Sequence, residues 1–281
     1  GLLFRVLAAL EGVEGSLGAG EYQLQKGMPV AEVMQALQQA PAAPMLVTIP
    51  EGLRAEEIGA ILEEERVVPA QEFMQAIALD YGDEFDFLAD LPPAATLEGY
   101  LFPDTYDFPR EATAEEVVRE MLTNFDGLFR PELRREASAA GLTIHQVVTL
   151  ASIVEREVVV GDERPIIAGV FLHRLELEMP LGADPTVQYT VANDPNSVAI
   201  YGYWKRELTV DDLAVDSPYN TRLNPGLPPG PIANPGLASL EAVVRPATTT
   251  YLYFVAKPDG SHAFAETEEE HLQNVQLYQG P

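Results

Sequence analysis

The sequence predicts an α+β protein, with a small αβ unit over residues 1–92 followed by a mixed α+β domain over residues 93–281. Three observations carry this expectation. An internal repeat runs through the first unit: with Gly27 aligned on Gly52, Glu32 meets Glu57, Val33 meets Ile58, Ala36 meets Ile61 and Leu37 meets Leu62. The texture changes after Pro92-Pro93, and from Thr96 onward aromatics, prolines and turn residues become dense. The remainder alternates capped amphipathic stretches with Pro- and Gly-rich loops and closes on a β-hairpin pattern and a helix.

In each copy of the repeat an extended segment (Glu21 to Gln25; Met45 to Ile49) leads to the glycine, and an amphipathic helix follows it. A third helix is expected over Pro69 to Leu79, then an acidic stretch from Asp80 to Asp90. Thr96-Leu-Glu-Gly-Tyr-Leu-Phe-Pro-Asp-Thr-Tyr106 reads as an extended loop, because Pro103 disfavours helical backbone before it. Helices are expected over Thr113 to Gly127, with Thr113 as cap and acids in the first turn, and over Pro131 to Ala140, stopped by Gly141.

The stretch Thr143 to Glu157 organises the second domain. At about 100° per residue, Ile144, Val147, Val148, Leu150, Ala151 and Val154 share one apolar arc, and Glu155 falls inside it above Ala151 and Val148. An acid against apolar surface has its pKa raised, since desolvation penalises the charge, and such an acid can donate a proton near neutral pH. The alternative is that Glu155 turns to solvent or pairs with an arginine. Glu157 lies toward the margin of the arc and reads as a helix-end residue.

Further on, a helix is expected over Glu163 to Leu175. Asp184 before Pro185 fits an N-cap with proline at the first helical position, a structural role weighed evenly against a functional one. Asp216 to Thr221 leads into Asn224 to Gly236, where Pro and Gly restrict the backbone to one path that either braces the fold or lines a cleft. A helix over Leu237 to Val244, a hairpin (Tyr251 to Ala256, Ser261 to Phe264) around Pro258-Asp-Gly260 and a last helix over Thr267 to Tyr278 complete the chain. His262, on the second hairpin strand, reads as a hydrogen-bonded structural residue.

Composition narrows the function. The chain carries 44 acidic against 17 basic residues, a net charge of −27, and lacks the basic footprint that nucleic acid or an anionic membrane surface requires. Without cysteine there are no disulfides, thiol nucleophiles or thiolate metal sites. The four histidines form no His-x-x-x-His pair, so no metal site is expected, and no cofactor motif is present. The chain starts at Gly1 without methionine, as a processed or trimmed product would, and Leu2 to Leu7 is too short and too charged to span a bilayer.

Leu150-Ala-Ser-Ile-Val-Glu-Arg-Glu157, the Thr96–Tyr106 segment, Asp184-Pro-Thr-Val-Gln-Tyr189, Tyr219-Asn-Thr221, Gly226 to Gly236 and Tyr251-Leu-Tyr-Phe-Val-Ala256, in that company, resemble the YceG-like (MltG) family of endolytic murein transglycosylases. The first unit resembles, more weakly, that family's LysM-like subdomain. The resemblance implies a bacterial lyase that cuts peptidoglycan glycan strands between N-acetylmuramic acid and N-acetylglucosamine, leaving 1,6-anhydromuramic ends. It also implies a single N-terminal membrane anchor, absent from this chain, an extracytoplasmic catalytic part and peptidoglycan synthases as possible partners. The family's catalytic glutamate is expected at Glu155. Glu98, Tyr100, Asp184, Gln188, Tyr219 and Asn220 lie within matching motifs and are expected to support substrate, with Phe102 and Tyr106 as further stacking candidates or core residues. Arg156 stands where a lysine is usual. The rival readings are a water-using muramidase, with Glu98 or Asp184 as second carboxylate, and a wall-binding module whose acid is structural.

Overall fold

A computed structural model describes residues 4, 7–9, 12, 13, 22, 24–38, 45–93 and 95–280. The expected first strand, Glu21 to Gln25, falls partly outside them. Both repeat glycines adopt left-handed backbone, Gly27 at φ 95° and Gly52 at φ 76°, and each precedes a helix: α1 (Val30–Gln38) and α2 (Ala55–Glu64). The repeat spacing thus marks a real turn-helix geometry, in which glycine accepts a φ that costs other residues energy.

The strand β1 (Met45–Thr48) pairs antiparallel with β2 (Thr105–Phe108), Met45 opposite Phe108 and Thr48 opposite Thr105. β2 closes the loop that Pro103 keeps extended. The helix α3 (Ala70–Ala76) packs on α2 and on α4 (Ala114–Leu128). One apolar core runs from Val47 to Val244, and packing is therefore continuous across the change of sequence texture at Pro92-Pro93. Its aromatic centre links Phe87, Tyr100, Phe125 and Phe129 by ring contacts of 4.8 to 6.1 Å. Burying each such ring contributes on the order of 2 kcal/mol.

Caps set the helix boundaries where the sequence indicates. Thr113 caps α4 reciprocally with Glu116, and Thr143 caps α6 (Ile144–Glu157) reciprocally with Gln146, after α5 (Pro131–Ala139) stops at Gly141 with φ 78°. Every α6 residue from Val147 to Val154 is buried, so this helix is the axis of the fold. It packs against α7 (Arg164–Glu176), α8 (Asp184–Val191) and, most extensively, α11 (Leu237–Val244). The short helices α9 (Pro195–Tyr201) and α10 (Val210–Leu213) were not expected from periodicity; each is barely two turns long or less and no residue of either is buried. The hairpin β3 (Tyr253–Ala256) and β4 (His262–Ala265) carries α12 (Glu268–Tyr278), capped by Thr267.

Asp184 does not cap. It is itself the first residue of α8, Ala183 holds the cap position, and the Asp184 carboxylate takes Nε–H of Arg222 at 2.9 Å. Among the described residues no single helix is long and apolar enough to cross a membrane.

Candidate active site

The candidate site is the C-terminal end of α6, where Glu155, Arg156 and Glu157 project in three directions because successive helical residues are turned by about 100°. Each meets a different environment.

Glu155 is 7% exposed and sits in a cage of donors, not against bare apolar surface as the helical wheel suggests. Ser239 Oγ–H donates to it at 2.6 Å, the Gly236 N–H at 3.2 Å and Arg164 Nη2 at 3.4 Å. Arg164 Nε–H also reaches Ser239 Oγ, so the carboxylate ties the end of α6 to the start of α7 and to α11. The Glu51 carboxyl lies alongside, over Gly236, where a Cβ would fall 1.8 Å from Glu51 Oε1. Burial raises the Glu51 pKa, the Glu155 charge adds to the rise and Arg164 opposes it. The wheel places Glu155 on the buried side correctly but cannot see donors brought in from α7 and α11.

Arg156 stacks 3.8 Å over Trp204 and donates to Gly52 O at 3.2 Å. Trp204 Nε1–H is held by Glu57 at 2.9 Å. Nearby, Arg54, 2% exposed, lies 4.1 Å over Tyr189 and is paired with Glu56.

Glu157 is half-buried and faces a cleft of about 450 Å³ whose walls include Arg174, Asp184, Arg222, Tyr253, His262 and His271. Among the described residues nothing hydrogen-bonds its carboxyl group. Burial pushes its pKa up to about 8; the Asp184 charge pushes the same way, and Arg222 and Arg174 push back less strongly. Arg174 is pinned by the carbonyls of Leu252 and Leu181, each at 2.6 Å, and lies 5.3 Å over Tyr253. His271 stacks on Tyr253 at 5.2 Å, and burial and then Arg174 lower its pKa. Glu157 is the last residue of α6, the helix-end position its place at the margin of the wheel indicates, and that end is also the edge of the cleft. A larger cavity of about 960 Å³, between α7, α11 and residues 246–250, has Glu176 as its one acid and no arginine among the described residues of its walls. It offers no comparable chemistry.

The other expected residues divide. Asp184 lines the Glu157 cleft. Asn220, 0% exposed, donates to Leu213 O and Val215 O and accepts Arg222 N–H at 3.0 Å, so it shapes the turn that aims Arg222 at Asp184. Gln188 donates to Lys205 O, and half-buried Tyr219 packs on Tyr189 at 4.9 Å. Glu98 is buried, accepting from Ala55 N–H and from Asn234 at 2.7 Å; burial outweighs these donors and raises its pKa to about 8. Asn234 also accepts from the N–H groups of Gly99 and Leu101 and donates to Leu53 O, which makes the Pro- and Gly-rich loop a brace through the core. Tyr100 is fully buried, its hydroxyl 3.1 Å from His145 Nδ1, and Phe102 and Tyr106 are 5% and 4% exposed. All three are core residues without a face for a sugar ring.

Sequence reasoning missed Arg174, Arg222, His262 and Glu51 as neighbours of the two acids. They come from α7, the turn after α10, β4 and the Gly52 turn, and no spacing rule connects them. Among the described residues no cluster of His, Asp and Glu could hold a metal ion.

The sequence model of the YceG-like family matches residues 1–277. An endolytic murein transglycosylase of Bacillus subtilis is 32% identical over 295 residues, covering 98% of this chain and 76% of that protein. One from Streptococcus pneumoniae strain D39 is 32% identical over 299 residues, covering 98% of this chain and 53% of that protein, so the chain spans about half its length. A crystal structure of a YceG-like protein from Listeria monocytogenes superposes with a TM-score of 0.70 at 31% identity, covering 96% of this chain and 88% of that one.

Proposed function

The chain belongs to the YceG-like family, and from that premise we propose that it is an endolytic murein transglycosylase whose proton donor is Glu157, with Glu155 as a structural clamp. The observation that carries the assignment is a carboxyl group with a pKa of about 8, without a hydrogen bond from any described residue, at the edge of a cleft. An acid that still holds its proton near neutral pH can deliver it to a leaving oxygen. Glu155 already accepts from Ser239, Gly236 and Arg164, which fits a residue that ties helices together.

In the proposed reaction Glu157 protonates the glycosidic oxygen between N-acetylmuramic acid and N-acetylglucosamine, and the bond from that oxygen to C1 breaks. The muramic 6-hydroxyl then attacks C1 and its proton passes to the Glu157 carboxylate, which restores the acid and leaves a 1,6-anhydro end. Hydrolytic glycosidases place two carboxylates about 5 to 9.5 Å apart; the internal nucleophile removes the need for a second. Glu98 is unsuited to that second role because it is buried and bonded to Ala55 and Asn234, and Asp184 is engaged by Arg222.

Digestion of murein glycan followed by mass spectrometry tests the proposal. Anhydro ends support it, reducing ends replace it with a muramidase, and cleavage that survives Glu157→Gln removes Glu157 from the chemistry. The reading further includes an N-terminal membrane anchor, an extracytoplasmic site, a LysM-like unit within residues 1–92 and association with peptidoglycan synthases. Co-sedimentation of the cleavage-deficient protein with murein sacculi tests whether the chain holds its substrate without cutting it.

A further inference from the structure

Next to Glu157 the cleft contains a histidine whose orientation is dictated by a second acid. His262 is 7% exposed overall, on β4, and its ring is fixed edge-on to Phe254 at 5.3 Å. Glu163, at the end of the turn before α7, accepts three contacts from this one residue: the backbone N–H of His262 at 3.0 and 3.2 Å from its two oxygens, and ring Nδ1 at 2.7 Å. An ionised carboxylate can only accept, so Nδ1 carries the hydrogen, and in the neutral ring Nε2 is left as a lone pair. No group of the described protein bonds Nε2, yet it is not among the sealed, unpartnered polar atoms, and His262 lines the cleft that Glu157 faces. The imidazole is thus more than nine-tenths buried at the wall of the cleft, with Nδ1 held by Glu163 and Nε2 neither hydrogen-bonded by a described residue nor sealed.

We propose that His262 is a substrate-contacting residue, its Nε2 accepting a hydrogen bond from a hydroxyl or acetamido N–H of a glycan ring, and that Glu163 is the positioning residue that sets its tautomer. The proposal rests on the reading of the Glu157 cleft as the active site. A hydrogen-bonded acid behind the far nitrogen of a histidine is how proteins commonly fix the proton position of a working imidazole.

Glu163→Gln inverts the arrangement with little change of shape. The backbone N–H of His262 requires the amide oxygen, so the amide NH2 faces Nδ1; the ring hydrogen then moves to Nε2, and the acceptor in the cleft becomes a donor. Imidazole 15N shifts read that inversion directly, independently of activity. Glu163→Gln and His262→Phe are each expected to lower kcat/KM at least tenfold, and the double variant to be no worse than His262→Phe alone, because both remove one interaction. Inversion of the tautomer with wild-type kcat/KM overturns the proposal, as does a His262→Phe enzyme of normal kcat/KM. A further arm needs no substitution in the pair: murein glycan fragments added to the Glu157→Gln protein should shift the Nε2 resonance, and an unmoved resonance at saturating fragment overturns it. If Glu157→Gln abolishes cleavage while His262→Phe leaves kcat/KM at the wild-type value, this inference alone falls; if Glu157→Gln still cleaves, the active-site reading falls and takes this inference with it.

Discussion

Replacing Glu157 by glutamine removes a charge while keeping the shape of the side chain, and the structure predicts opposite effects on activity and stability. The folded pKa is about 8, against 4.5 for an ordinary glutamate. Between those two values the folded chain keeps a proton that the unfolded chain releases, so the wild-type protein loses stability as pH rises through the window and changes no further, on account of this group, above about 8. Holding that proton costs about 1.4 kcal/mol for every pH unit above the unfolded value, and pH 7 lies roughly 2.5 units above it, which gives about 3 kcal/mol; solvent in the cleft trims this toward about 2 kcal/mol. Glu157→Gln does not carry this penalty. It should match the wild type near pH 4, exceed it by about 2–3 kcal/mol at pH 7 and gain slightly more by pH 8.5. Denaturant unfolding of both proteins at these pH values measures the difference, and comparing the two cancels the parallel contribution of Glu98. A difference of constant size, or a variant less stable at high pH, would show that Glu157 does not hold its proton in the folded chain. Murein cleavage by the same preparation should be lost.

Glu155→Gln keeps an oxygen for Ser239 and Gly236 but loses the charge facing Arg164, and should cost about 1–3 kcal/mol in thermal or denaturant unfolding while glycan cleavage persists in the folded protein. Abolished cleavage with normal stability would return the catalytic role to Glu155. Gly99→Ala forces a Cβ to within 2.5 Å of the Pro231 ring at a backbone φ of 89°, and a loss of about 3 kcal/mol is expected; near-wild-type unfolding would show that the loop can yield. Tyr100→Phe removes the hydroxyl that meets His145 and should lower stability by about 1 kcal/mol with KM unchanged, whereas a raised KM would put the ring back at the substrate.

Local chemistry was legible in the sequence. The glycines of the repeat, the Thr113 and Thr143 caps, the Gly141 stop, the α11 limits and the terminal hairpin all depend on interactions within a few residues, and they stand where spacing and turn chemistry indicate. The family was legible too, because its motifs lie in order along the chain. Residue spacing also singled out the end of α6 as the place where acids meet the core. Separating the two glutamates there took the packed molecule. Glu155 receives donors from residues 9, 81 and 84 positions away, and Glu157 meets a cleft built from α7, α8, the Asn220 turn and the hairpin. Desolvation and hydrogen bonding are properties of what surrounds a group in space, and a helical wheel contains one helix. It can say which side of that helix is covered, but what covers it, apolar surface, donor or open cleft, is settled when distant segments pack.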